Sequence, residues 1–324
     1  MRKPGWSALV LSAGIAACAN LIGGEAAAQS YPNKPIRMLV GFAVGGAVDV
    51  TARIVAQKFS EQLGQQVVVE NRTGAGGVIA SDAVAKAPPD GYTLLMLSIS
   101  DTVLPALRKL PYDLERDFSP VSLVTVLPLI LVVHPSVPAR NVSELIALTR
   151  ARPGGLNFAS SGIGSSAHLA IELFNLMAKV KFVHVPYKGG AESALAVASG
   201  HVDLCIASIT AVLPIMNKVR PLAVTSARRA SSMPAIPTID EAGLRGYDHY
   251  GWNGVIAPAG VPKDIIARLN AVLAKAINTA EMKETLDKQG VEPRTDTPEQ
   301  FGAFIHDAIA RNTRLMRLAG ARSE

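Results

Sequence analysis

Ser160-Ser161-Gly162-Ile163-Gly164-Ser165-Ser166-Ala167-His168 follows a short apolar run, Leu156 to Ala159, and opens a helical pattern. The order is strand, tight turn, helix. Small residues in such a turn leave backbone N–H groups uncovered at a helix N-terminus, which attracts anions. The arrangement recurs at Gly41-Phe42-Ala43-Val44-Gly45-Gly46 and at Pro186-Tyr187-Lys188-Gly189-Gly190. Three turns of one kind predict an α/β chain with a site for a small anion, most simply a carboxylate.

Working outward, strand-like and helix-like patterns alternate from Lys34 onward. Ile36 to Val40 reads as a strand. Val48, Ala52, Val55, Ala56, Phe59 and Leu63 fall on one helical face ending at Gly64. Strands at Val67–Glu70 and Thr93–Leu97 flank a helix at Val78–Ala87. The second half repeats the scheme, with Asn141 as the cap of a helix over Val142–Arg150. Strands follow at Leu156–Ala159, Phe182–Val185, Asp203–Ala207 and Pro221–Thr225, with helices at Ser165–Met177 and Ala191–Ser199. The end reads as helical over Pro262–Asn278, Glu281–Gln289 and Pro298–Leu318, the last behind a capping Thr297. This order predicts parallel sheets with right-handed crossovers. Two such sheets predict two lobes around a cleft. Val121–Val133 would carry the chain across and Tyr247–Ala257 would bring it back. The expected division is 31–128 with 253–324 against 129–252.

The chain has 324 residues, 49% apolar and 18% charged, so it can bury sizeable cores and is not a disordered type. Aromatics make up only 5%, and the basic residues form no block, so nucleic-acid binding is not expected. Arg2 and Lys3, an uncharged run over Ser7–Ile22 and Ala26-Ala27-Ala28 predict an export signal over residues 1–28. A rival processing site, Ile15-Ala16-Ala17-Cys18, would instead leave Cys18 lipidated. Loss of Arg2, Lys3 and Glu25 would take the formal charge from +6 to +5. Cys205 then remains as the single cysteine and reads as a small buried hydrophobe. The mature chain lacks the roughly 18 unbroken apolar residues of a membrane span, so it is expected to be soluble; the export signal points to the periplasm, and a monomer is expected.

The candidate ligand-binding residues lie at the strand ends. Phe42, Val44, Gly45, Gly46 and Asp49 come from the first turn, where Asp49 can equally pair with the helix dipole or with Arg53. Ser98 and Ser100 end the third strand. Ser160, Ser161, Gly164, Ser165 and His168 come from the quoted stretch, and Tyr187, Lys188, Gly189 and Gly190 from the third turn. Ser208 follows strand Asp203–Ala207. Gly162-x-Gly164-x-x-Ala167 fits a loose dinucleotide pattern. However, the next strand ends His184-Val185-Pro186, without the acid that holds a ribose, so no cofactor is expected. The six histidines show no metal-ligand spacing. No Gly-x-Ser-x-Gly elbow appears. A periplasmic serine hydrolase using Ser165 with His168 is the enzymatic alternative.

Several segments together resemble one family. They are Tyr31-Pro-Asn-Lys-Pro-Ile-Arg37, Gly45-Gly-Ala-Val-Asp-Val-Thr-Ala-Arg53, Val69-Glu-Asn-Arg-Thr-Gly-Ala-Gly-Gly77, Asp90-Gly-Tyr-Thr-Leu94, Ser160 to His168, His184-Val-Pro-Tyr-Lys-Gly189, and Trp252 through Ala257-Pro-Ala-Gly-Val-Pro262. In this order they are similar to the periplasmic receptors of tripartite tricarboxylate transporters, the Bug-type solute receptors. The resemblance implies a type II periplasmic-binding fold, no catalysis, and a ligand among di- and tricarboxylates, acidic amino acids or aromatic acids. It also implies transfer to the membrane subunits of a transporter; a receptor serving a sensor kinase is the alternative. By the same resemblance, main-chain amides of Phe42–Asp49, Ser160–Ser165 and Tyr187–Gly190 hold one ligand carboxylate.

Overall fold

Strand periodicity in this chain sorts side chains onto opposite faces of two sheets, each covered on both sides. The computed structural model describes residues 31–318 and 320, so the expected export signal and Cys18 lie outside the described residues. The first sheet contains β1 (Ile36–Val40), β2 (Val67–Asn71), β3 (Thr93–Ser98), β4 (Phe118–Leu127), β10 (Gly251–Pro258) and β11 (Glu292–Pro293), in the order β11-β4-β10-β3-β1-β2. The second contains β5 (Leu129–Val133), β6 (Asn157–Ser160), β7 (Val183–Pro186), β8 (Leu204–Ser208) and β9 (Arg220–Val224), in the order β7-β6-β8-β5-β9. Within the first, Met38 and Val40 join one core cluster with Leu94 and Met96, while Leu39, Leu95 and Leu97 join the cluster on the other face. The second sheet does the same: Leu129, Leu131 and Val133 face one core, and Ile130 and Val132 face the other. Burial on both faces explains why these strands read as nearly unbroken apolar runs. Cys205 sits in the second of those cores, and its burial pushes the thiol up to about 12.

The expectation of purely parallel sheets is corrected. β2-β1-β3 and β7-β6-β8 are parallel, but β10 pairs antiparallel with β3 and β4, and β5 pairs antiparallel with β8 and β9. Parallel strands need a crossover helix, as α1 (Ala47–Leu63), α2 (Val78–Ala85), α4 (Ser166–Ala178) and α5 (Gly190–Ala198) show, while α3 (Val142–Ala151) leads from β5 into β6. The strands that carry the chain between sheets have no such helix and run the other way. Pro128, which has no N–H to give to a ladder, separates β4 from β5, and the Leu129 N–H already donates to Thr225 Oγ1 in the second sheet.

The chain finishes in α6 (Lys263–Ile277), α7 (Ala280–Asp287) and α8 (Pro298–Leu318). Phe301, Ile305 and Leu315 of α8 complete a core of the first sheet, and Leu169 of α4 joins the same cluster. Phe301 fits because position 254 is glycine: a Cβ there would lie 2.1 Å from Phe301 Cζ.

Candidate functional site

A cavity of about 720 Å³ opens between the two lobes at the ends of the strands. In the turn after β1, Phe42, Ala43 and Gly46 line it, together with Ala47 and Val48 in the first turn of α1. The Gly46 N–H donates to Ala43 O, and the first helical bond runs from Val50 N to Gly46 O. The Ala47 and Val48 amides therefore have no acceptor within the helix. Asp49 is buried behind this turn, outside the lining. It accepts the Gly45 N–H at 2.9 Å, the Asn71 amide at 2.8 Å and the Arg53 guanidinium. Burial works to raise its carboxyl, but Arg53, Gly45 and Asn71 outweigh that and hold it below the usual range. Asp49 thus staples the loop and consumes the Gly45 amide. Val44, 72% exposed, also falls outside the lining.

In the turn after β6, Ser161, Gly164, Ser165, Ser166 and Ala167 line the cavity with Ile163. Gly164 has a φ of +76°, the left-handed region that favours glycine. Its N–H donates to His168 Nδ1 at 3.2 Å, so that amide is engaged within the protein. The accepting Nδ1 places the imidazole proton on Nε2, 3.7 Å from Glu172 Oε1. His168 stacks on His184 with centroids 4.2 Å apart, and burial, then His184, pushes its pKa down to about 4. Ser160 is fully buried, and its Oγ lies 2.6 Å from His184 Nε2. Ser160 and His168 therefore support the loop from behind and do not line the cavity. Ser165 caps α4, its Oγ accepting the His168 backbone N–H at 3.2 Å. That leaves its hydroxyl proton, and the Ser166 and Ala167 amides, available to a guest.

The turn after β7 contributes Lys188, Gly189 and Gly190, while Tyr187 packs against the second lobe's core outside the cavity. The first helical bond of α5 runs from Ser193 N to Gly189 O, so the Gly190 and Ala191 amides are uncommitted. Ser98, Ser100 and Ser208 also line the cavity. The Ser98 hydroxyl donates to buried Asp101 at 2.8 Å, so it has no proton to offer an anion. Ser208 differs: its Oγ accepts the Ala211 N–H, leaving its own proton available.

Sequence reasoning missed Leu104 and Leu107 of a one-turn helix, Arg108 after it, and Leu127, Leu129, Trp252 and Asn253 on the crossing strands. Nothing in local periodicity marks these positions, because only the meeting of the lobes makes them walls. Arg108 and Lys188 are the charged side chains in the lining, which includes no acid. Among the described residues, no group of side chains could hold a metal ion, and no helix is long and apolar enough to cross a membrane.

Comparison with known proteins places this geometry among relatives. The family model described as "Tripartite tricarboxylate transporter family receptor" matches residues 51–320. Protein BugT of Bordetella pertussis is 39% identical over 318 residues, covering 97% of this chain and 95% of BugT. A structure from R. palustris with adipate is 36% identical, with a TM-score of 0.81, covering 91% of this chain and 100% of that one. MatC from Rhodopseudomonas palustris, with bound malate, is 31% identical with a TM-score of 0.75, covering 88% and 99%.

Proposed function

This chain belongs to the tripartite tricarboxylate transporter receptor family, and from that premise we propose that it captures a small carboxylate outside the cytoplasmic membrane. In this reading it delivers the ligand to the membrane subunits of a tripartite transporter. It works in the periplasm as a monomer after removal of residues 1–28. Residues 31–128 with 253–324 form one jaw and 129–252 the other. The relatives solved with adipate and malate support a carboxylate guest.

One observation carries the reading. The uncommitted first-turn amides of α1, α4 and α5 open on a single cavity lined by two cations and no acid. Hydrogen bonds to a charged acceptor contribute about 1.5–3 kcal/mol each. A micromolar complex corresponds to about 8 kcal/mol, so a few such bonds suffice after the cost of association. The act is binding: the His168 ring is turned to Gly164 and Glu172, so it is not engaged with the Ser165 hydroxyl.

Thermal melting with a panel of small carboxylates tests this. At least one acid should raise Tm in a concentration-dependent way, and Gly164→Val should remove the shift while the protein still melts cooperatively. A panel without any response, or a folded Gly164→Val variant with a wild-type response, would refute the reading.

A further inference from the structure

Two helices that pack on different sheets leave a second cavity between them. α4 packs on the second sheet through Ala170, Ile171 and Phe174, and α8 on the first through Phe301, Ile305 and Leu315. The space they enclose is about 400 Å³, within the range of about 300–1,000 Å³ that small-molecule sites occupy. Helical period decides its chemistry. Arg311, Arg314, Leu315 and Leu318 stand at i, i+3, i+4 and i+7, so one face of α8 gives the cavity two cations and two apolar side chains. Leu173 and Leu176, three residues apart, line it from α4. Leu176 and Leu318 are 48% and 58% exposed, so apolar surface there stays open to water. The part of the wall made by His249 is fixed: its ring is buried, its N–H donates to Thr225 O at 2.9 Å, and its Nε2 lies 3.0 Å from Ser166 Oγ.

Charge in this cavity does not cancel. Among the described residues, neither Arg311 nor Arg314 makes a hydrogen bond or an ion pair. Asp248, the acid in the lining, accepts the Ala227 N–H at 2.9 Å. Like charges one turn apart on a helix repel, and an anion between them relieves that repulsion. We infer that this cavity is a second binding site, distinct from the cleft, for an amphipathic anion with one acid group and a hydrocarbon chain. The guanidinium forks of Arg311 and Arg314 hold the acid. Leu173, Leu176, Leu315 and Leu318 cover the chain. A second acid at the far end of that chain would be stranded against leucine. The site does not depend on what the cleft binds.

Calorimetric titration of the full mature chain with octanoate, decanoate and neutral octanol tests the inference. Decanoate should bind at least about tenfold tighter than octanoate, since a buried methylene contributes about 0.8 kcal/mol. Octanoate should bind about tenfold tighter than octanol, the range of a charge-assisted contact. Ala310 is an exposed residue of α8 in the lining, so Ala310→Trp fills the space without entering a core. It should remove the tight decanoate binding while the protein still melts cooperatively. Arg311 and Arg314 are exposed as well, so the double variant Arg311→Gln, Arg314→Gln should fold and bring octanoate down to the level of octanol. Gly164→Val, which alters the cleft, should bind decanoate as wild type does. A wild-type protein that does not bind decanoate overturns the inference and leaves the reading of the cleft standing. So does decanoate binding that is lost in Gly164→Val and kept in Ala310→Trp, which would put the chain in the cleft. A double Gln variant that still prefers octanoate to octanol overturns it too. If light scattering shows self-association that Ala310→Trp abolishes in place of decanoate binding, the face belongs to a second copy and the inference falls.

Discussion

Two buried histidines tie the site's frame to pH. His168 holds the Gly164 turn through Nδ1, and His249 lies 3.0 Å through Nε2 from Ser166 Oγ in the first turn of the same helix. Burial, helped by His184, pushes His168 down to about 4; burial, helped by Arg311 and opposed by a hydrogen bond with the Ser166 backbone, pushes His249 down to about 3. An unfolded chain binds these protons near 6.5. In the window between, the unfolded state holds more protons, so stability present above pH 6.5 is lost as pH falls toward 4. Asp101 acts in the opposite sense. Burial raises it from 3.8 to about 6, so its cost is relieved on acidification, and one such group offsets only part of two histidines. Tm should therefore fall between about pH 6.5 and pH 4.5, and His249→Gln should make that fall shallower despite a lower Tm at neutral pH. An unchanged slope in parallel melts would refute the assignment to His249.

At the scale of elements, β10 and α8 meet closely at Gly254, against the Phe301 ring. Gly254→Ala forces Phe301 to move, and overpacking a filled core costs about 1–3 kcal/mol. Urea denaturation should show that loss, and Phe301→Leu in the Gly254→Ala background should recover part of it, because the two sites share one space. Additive losses in the double variant would contradict this packing. Helix starts show the link from sequence to local structure most directly. Asn141 accepts the Glu144 N–H at 2.8 Å, and Thr297 accepts the Gln300 N–H at 3.2 Å, as short polar side chains before a helix should. Ser165 does the same for α4, but it also faces the cavity. Ser165→Ala should lower stability by about 1 kcal/mol and weaken carboxylate binding as well. A surface cap such as Thr297→Ala should affect stability alone.

For the whole molecule, charge is distributed so that the cleft lining carries Arg108 and Lys188 and no acid. Both sit at an opening to solvent, where salt screens them over about 8–10 Å. The carboxylate-induced rise in Tm should shrink when sodium chloride goes from roughly 50 mM to 500 mM, and more for a dicarboxylate than for a monocarboxylate. A neutral ligand in that cleft would show no such dependence. α4 and α8 also share a core, in which Phe301 and Leu315 of α8 cluster with Leu169 of α4.

Sequence alone determined what depends on near neighbours in the chain: the apolar strand runs, the amphipathic helices, the tight small-residue turns after β1, β6 and β7, and the resemblance those motifs carry. These are legible because periodicity and capping act over a few residues. Tertiary structure alone decided the antiparallel strands that cross between sheets, and which donors in each turn remain free. The Gly45, Gly164 and Ser98 hydrogens look available in sequence, yet they are taken by Asp49, His168 and Asp101. Arg108, Leu107, Trp252 and Asn253 became walls only when the lobes met. A hydrogen bond is either spent or free according to what lies within about 3 Å, and for a side chain on a cavity wall that neighbour is set by packing between elements far apart in the chain.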